Sequence, residues 1–335
     1  MANRRSFIEK IGKGAAFSTL ALSLPSPLFS QVKLGKAPGV KNKIIGIIGA
    51  ENSHTVGFGK MFNLDKKFPG WEVKYVWGEK EEFAQLAKTK GSIPVIVQDP
   101  LEMMGKIDAL IVDHRHGDLH LDAAFPFVKK GIPTFVDKPF CYSSQAAKTF
   151  LEMARAVGTP VTSYSSIAHS HATDDMRSQL AGMKEVNQIT CYGKADINSI
   201  YGGFFFYGVH MVEPLIYLFD EKIVSARFNK NEKENLNSSA SLIFDNGRMA
   251  TLVITTKKYG WQNFVETDDG VVELKSRIKP VDPDKNYVDM VNMFSTGKEP
   301  RSHESIIHGI AVLEAIQKSI ISGNWESVKW YKDGE

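Results

Sequence analysis

From Lys43 to Tyr164 the chain alternates short β-branched runs with helical stretches, and that rhythm dictates the architecture of its first half. Lys43 to Ile48 is a continuous isoleucine-rich run, suited to a central parallel strand covered on both faces. A helix over about His54 to Leu64 follows, then a strand from Trp71 to Trp77 and a charged helix from Glu79 to Lys90. Pro94 to Gln98, Ile107 to Asp113, Ile132 to Val136 and Pro160 to Tyr164 read as further strands. Helices over Asp118 to Lys130 and Ser143 to Val157 separate the later ones, closed by Gly131 and Gly158. Such alternation requires right-handed crossovers and builds a doubly wound parallel sheet of Rossmann type.

Near residue 165 the rhythm changes. A helical stretch from Thr173 to Met183 leads into a strand from Gln188 to Asp196 and a helix around Gly208 to Phe219. Strands then follow one another: Ile223 to Asn229, Ser239 to Phe244, Met249 to Lys257, Trp261 to Thr267 and Gly270 to Lys275. Asp245-Asn246-Gly247 and Asp268-Asp269-Gly270 supply the hairpin turns. Two helices, Asp284 to Thr296 and Ser302 to Ser322, end the pattern. The expected class is α/β, with a Rossmann domain over 43–164 and an α+β domain over 165–335. The second domain carries an open, mostly antiparallel sheet, and its last helices can pack back on the first. An open sheet commonly needs a partner, which points to a homodimer or homotetramer.

The bulk numbers exclude several classes. At 335 residues the chain is long for one core and comfortable for two. A net charge of +3, with no dense basic face interleaved with aromatics, argues against nucleic acid as a partner. No uninterrupted apolar run reaches the ~18 to 20 residues of a membrane span. Cys141 and Cys191 give no disulfide framework and read as free buried thiols. Residues 1–30 stand apart, with Arg4-Arg5-Ser6-Phe7 ahead of an apolar run from Gly14 to Leu24 that Pro25 ends. That pattern resembles a twin-arginine export signal, so a periplasmic protein is expected, with a cytoplasmic one as the alternative. Residues 31–42 read as a linker.

Four segments can carry chemistry. Asp137-Lys138-Pro139 ends a strand, where open α/β sheets place their ligands, so Lys138 can meet a substrate hydroxyl in a crevice. The first strand-to-helix turn runs Gly49-Ala50-Glu51-Asn52-Ser53-His54. Only the first glycine of Gly-x-Gly-x-x-Gly is present, with Glu51 and His54 at the other two positions. Asn52 and Ser53 can cap the helix, and Glu79, just past the second strand, reads either as the acid that bonds a ribose diol or as an exposed glutamate opening a charged helix. The third segment, Asp113-His114-Arg115-His116 to His120, lies on the rim of another strand. Its His-x-His spacing fits either a nucleotide contact or a metal, and two imidazoles on a loop do not define four ligands, so no metal is expected. His120 caps or packs on the helix that follows. The fourth, Gly202-Gly203 to Tyr207, His210 and Glu213, puts a glycine pair and an aromatic run before a helix. There His210 and Glu213 share a face, and apolar neighbours would keep His210 neutral and able to accept a proton. An aromatic core stripe with one satisfied histidine is the other reading.

In this order the pieces resemble the glucose–fructose oxidoreductase and inositol dehydrogenase (Gfo/Idh/MocA) family. The resemblance spans residues 43 to about 325. It rests on Gly46-Ile47-Ile48-Gly49, the helix with His120, Asp137-Lys138-Pro139 for the family's Glu-Lys-Pro, Gly202-Gly203 through His210, and Thr296-Gly297-Lys298-Glu299-Pro300. It implies an NAD- or NADP-dependent oxidoreductase acting on a CH–OH group of a sugar, polyol or glycoside. Gly49, Glu51, Asn52, Ser53, His54, Glu79, His114, His116, His120, Asp137 and Lys138 would meet the cofactor. Lys138, Tyr207, His210 and Glu213 would meet the substrate, with His210 as general base and Lys138 and Tyr207 as its catalytic partners. Phe206 stands where the family's usual aspartate precedes the histidine. Other readings are an NAD-assisted glycoside hydrolase or lyase, and a non-catalytic sugar-binding protein with a decayed nucleotide site.

Overall fold

The computed structural model describes residues 42–230, 238–255 and 260–331. The leader and almost all of the linker lie outside the described residues. The first half folds as β1 (Lys43–Ile48), α1 (Ser53–Gly59), β2 (Trp71–Trp77), α2 (Glu81–Gly91), β3 (Val95–Ile96), β4 (Ala109–Val112), α3 (His120–Val128), β5 (Thr134–Val136), α4 (Ser144–Ala156) and β6 (Val161–Thr162). Its six strands run parallel in the order β3-β2-β1-β4-β5-β6. The order reverses between β1 and β4, and that switch point opens a crevice beyond the strand ends.

The second half continues with α5 (His171–Ala181), β7 (Val186–Lys194), α6 (Phe205–Phe219), β8 (Ile223–Asn229), β9 (Ser239–Phe244), β10 (Met249–Thr255), β11 (Gln262–Thr267), β12 (Gly270–Leu274), α7 (Lys285–Thr296), α8 (His303–Ser322) and β13 (Glu326–Ser327). Seven strands form a sheet in the order β12-β11-β7-β10-β9-β8-β13. All neighbours are antiparallel except β7 and β10, whose parallel pairing brings together strands far apart in sequence. β13 went unread in the sequence because two residues carry no periodicity.

Two packing relations position the site. Helix α8 is long and apolar enough to cross a membrane, which a count of uninterrupted apolar residues missed because Glu304, His308, Glu314 and Lys318 break the run. Its apolar residues Ile306, Ile310, Leu313 and Ile316 are buried in the main core, where it packs on α4, α6 and β8. Helix α7 returns to the first sheet: Met290, Val291, Met293 and Phe294 share one apolar cluster with Ile45, Ile47, Phe62 and Trp71. Cys141 and Cys191 are free and buried.

Phe294 lies 5.8 Å from the Trp71 ring and is buried, so truncation leaves a cavity between α7 and the sheet. Phe294→Ala should lower unfolding free energy by about 3 to 5 kcal/mol in a denaturant titration. A loss below about 1 kcal/mol would show that α7 does not hold the two halves together.

Candidate active site

Five strand ends supply the site. After β1, Gly49 turns with φ +101°, and a Cβ there would sit 2.5 Å from the His114 amide nitrogen, so only glycine lets the turn approach β4. Asn52 caps α1 by accepting from the His54 amide at 3.3 Å. Its Nδ2 donates to Asp113 Oδ1 at 3.1 Å and to Asp137 Oδ2 at 3.0 Å, joining the ends of β1, β4 and β5. Glu79, past β2, accepts from the amides of Ala50 and Glu51 on one oxygen, at 2.9 and 3.0 Å. Its other oxygen lies 2.6 Å from His114 Nδ1. Burial works to raise the Glu79 pKa, but the bonds from His114 and Ala50 outweigh it and bring the pKa down to about 2.

Asp113 is fully buried, and burial first, then the Asp137 charge, raises its pKa well above the usual carboxylate range. Thr55 Oγ1 lies 3.0 Å from the Gly49 carbonyl and 2.5 Å from Asp113 Oδ2. The single hydroxyl proton can satisfy only one of them. Given to the carbonyl, it leaves a protonated Asp113 to donate to Thr55. Asp137 remains the charged member of the pair: burial opposes its ionisation, but the charges of Lys138 and His54 hold its pKa far below normal.

Lys138 is buried, follows β5, and joins Pro139 through a cis peptide. Its Nζ lies 3.5 Å from Asp137 Oδ2 and 5.3 Å from the centre of the Phe206 ring. Phe206, at the position of the missing aspartate, thus gives Lys138 an aromatic face instead of a carboxylate. His210, one turn further along α6, is buried. Burial and then the Lys138 charge push its pKa to about 3. Its ring lies between Tyr207 at 6.0 Å and Trp261 at 5.8 Å. Lys138, Asp137 and His54 also line a pocket with Phe58, Tyr164 and Tyr287.

Ser165, just past β6, is the residue the sequence reading missed. Its Oγ lies 2.7 Å from His210 Nδ1 and accepts from the amides of Ile167 and Ala168 at 3.2 and 3.4 Å. With two amides donating into Oγ, the hydroxyl proton goes to Nδ1, and neutral His210 carries its own proton on Nε2. The expected general base is therefore a hydrogen-bond donor at rest. The strand-end rule that flagged Lys138 also applies to Ser163-Tyr164-Ser165 and would have found it.

Other expectations move. Glu213 is not placed for substrate: Arg301 and the Ser165 amide hold its two oxygens at 2.8 and 2.5 Å, and it positions Ser165. His120 is fully buried, with its ring nitrogens 2.9 Å from the carbonyls of His114 and Pro139, so it braces the loop instead of meeting a cofactor. His114 is buried against Glu79. His116 turns instead to the Tyr142 hydroxyl at 3.3 Å, so the two imidazoles diverge. Glu51 accepts from the Tyr201 hydroxyl at 2.7 Å, across the cleft, while Ser53 is exposed in the first turn of α1. The Gly202 backbone makes its close approach to Tyr142, not to a ligand: a Cβ there would lie 2.3 Å from that ring. Tyr207 is half-buried beside His210.

The turn fits a dinucleotide. Gly49 lets the turn close on the end of β4, the amides of Ala50 and Glu51 donate to Glu79, and that ionised acid stands just past β2, where such folds bond a ribose diol. Comparison with known proteins agrees on the class, a Rossmann domain joined to an open-sheet domain. Residues 43–165 match the model of the Gfo/Idh/MocA oxidoreductase family, described as having an NAD-binding Rossmann fold. Among curated proteins no match is found. The myo-inositol dehydrogenase of Lactobacillus casei, solved with NAD(H) and myo-inositol, superposes with a TM-score of 0.73 at 12% identity, covering 87% of this chain and 98% of that one. The myo-inositol 2-dehydrogenase of Lactobacillus plantarum gives 0.73 at 15%, over 86% and 100%. GenD2 from gentamicin A biosynthesis, solved with NAD, gives 0.72 at 12%, over 86% and 97%. Residues 43–165 are thus similar to that family's Rossmann domain, and the chain as a whole has the fold of these dehydrogenases.

Asp113 gives a pH test. An unfolded aspartate loses its proton near pH ~4, whereas the folded one keeps it, so wild-type stability falls as pH rises from there through the folded pKa. Asp113→Asn lacks that loss and should gain on wild type between pH 4 and 7 in denaturant titrations. A gap that stays constant, or moves the other way, contradicts a protonated Asp113.

Proposed function

We propose that this protein is a nicotinamide-dependent dehydrogenase that oxidises a CH–OH group of a sugar, polyol or glycoside. One observation carries the reading: Lys138, at a strand end of a Rossmann sheet, lies against Phe206 of α6, one turn before a buried His210 whose pKa its charge helps to lower. A nicotinamide bound there supplies the two-electron acceptor for hydride from the carbinol carbon. The Gly49 turn and Glu79 would hold the dinucleotide. Lys138 would contact the reacting oxygen and share in its proton transfer. His210, protonated on Nε2, would donate to the same oxygen as negative charge develops. Tyr207 would bind a neighbouring hydroxyl.

Glu79 also favours NAD over NADP, because a carboxylate held ionised beside the ribose repels a 2′-phosphate. We further infer a homo-oligomer through the outward face of the seven-stranded sheet, where Tyr192, Val224 and Met249 are exposed. Export through a twin-arginine route rests on Arg4 and Arg5. An exported enzyme would keep its dinucleotide between turnovers and recycle it with a second substrate.

Two measurements test the reading. Lys138→Ala should lower turnover of the polyol that wild type oxidises by ~10² or more, and a variant as fast as wild type removes Lys138 from the chemistry. In fluorescence titrations NADH should bind at least about tenfold tighter than NADPH, and Glu79→Gln should narrow the gap. Equal affinity of wild type for both would overturn the role given to Glu79.

A further inference from the structure

Carbinol oxidation leaves a proton to be disposed of. The C–H bond breaks with its electron pair leaving as hydride to the nicotinamide, C=O forms, and the O–H proton must depart. His210 cannot keep it, because its Nδ1 is occupied by Ser165 and its surroundings are buried and lie close to the Lys138 charge.

Beside it runs a line of side chains from the buried chemistry to water. Lys138 Nζ lies 3.5 Å from Asp137 Oδ2, and the same oxygen lies 3.3 Å from His54 Nδ1. The side chains of Lys138 and Asp137 are 8% and 6% exposed, whereas His54 is 44% exposed. Asn52 fixes Asp137 Oδ2 in this line by its 3.0 Å bond, and Asp113 flanks it with an oxygen 3.8 Å from His54 Nδ1. A ring nitrogen of His54 and a carboxylate oxygen of each of Asp113 and Asp137 all fall within 4.8 Å of one another. His54 sits where the third glycine of a dinucleotide turn would be, so the turn carries an imidazole where that motif has no side chain.

We propose that Lys138, Asp137 and His54 form the proton exit of this enzyme, with His54 as the terminal group that delivers the proton to water. The proposal rests on the dehydrogenase reading. Nζ of Lys138 passes one proton to Asp137 Oδ2, and its freed lone pair takes the proton of the substrate hydroxyl. Asp137 hands its proton to Nδ1 of His54, which releases the one on Nε2 to solvent, and proton exchange with water then returns His54 from the Nδ1–H to the Nε2–H form. Lysine ends as ammonium and aspartate as carboxylate, and one proton has left for each hydride transferred. The charges facing His54 are Asp137, Asp113 and Lys138, with the Tyr287 phenol across the cavity. The Asp137 charge leads in raising the His54 pKa, against burial and Lys138. Relay requires neutral His54, so turnover should rise with pH through that raised pKa.

The test is His54→Gln in the full chain, assayed with the polyol that wild type oxidises. In dilute non-transferring buffer turnover should fall about 10²-fold, and added imidazole should restore it, as it would not if His54 only held the fold. Unchanged turnover, or a loss that imidazole does not rescue, overturns the relay. NMR titration of His54 judges the chain apart from catalysis. Asp137→Asn should drop the His54 pKa and Lys138→Met should raise it; a pKa indifferent to both overturns the coupling. If wild type oxidises no polyol while this coupling holds, the dehydrogenase reading fails and not the proton line.

Discussion

One side-chain amide organises the site. Asn52 Nδ2 holds the carboxyls of Asp113 and Asp137 side by side, so the ends of β1, β4 and β5 share a single polar knot. Two carboxyls so close in a buried place cannot both ionise cheaply. The structure separates them: Asp113 keeps its proton beside Thr55, and Asp137 keeps its charge between Lys138 and His54. That division makes room for a buried ammonium. Without Asp137, Lys138 would be a buried charge with an aromatic face, Phe206, in place of a carboxylate partner.

The second domain acts on this knot through α6. Phe206 lays an aromatic face against Lys138, and His210 follows a turn later, held by Ser165 just past β6 of the first sheet. Ser165 is held in turn by Glu213, and Glu213 by Arg301 just before α8. The cleft is also closed at the other end, where Tyr201 bonds Glu51 and Arg115 stacks on Tyr201 at 4.3 Å. Two polar seams therefore hold the domains in register around the crevice.

Much of this was legible in the sequence. Strand and helix periods gave both sheets, because buried parallel strands and hairpin turns leave strong local marks in Lys43–Ile48 and Asp245-Asn246-Gly247. What failed was pairing over distance. The parallel neighbours β7 and β10 are some sixty residues apart, and no local pattern announces such a partner. The site divides the same way. Lys138 could be picked out from its strand end, but the fates of His114, His120 and Glu213 depend on partners that only folding brings near: Glu79, two carbonyls and Arg301. A histidine next to a loop looks available in sequence, and three dimensions decide whether its nitrogens are already taken.

The most direct trial of the account is hydride transfer itself. A polyol deuterated at its carbinol carbons, incubated with the full chain and NAD, should place deuterium on the reduced nicotinamide, as seen by mass spectrometry of the recovered cofactor. Binding of both nucleotide and polyol with no deuterium reaching the nicotinamide would contradict the dehydrogenase assignment and leave the cleft a binding site only.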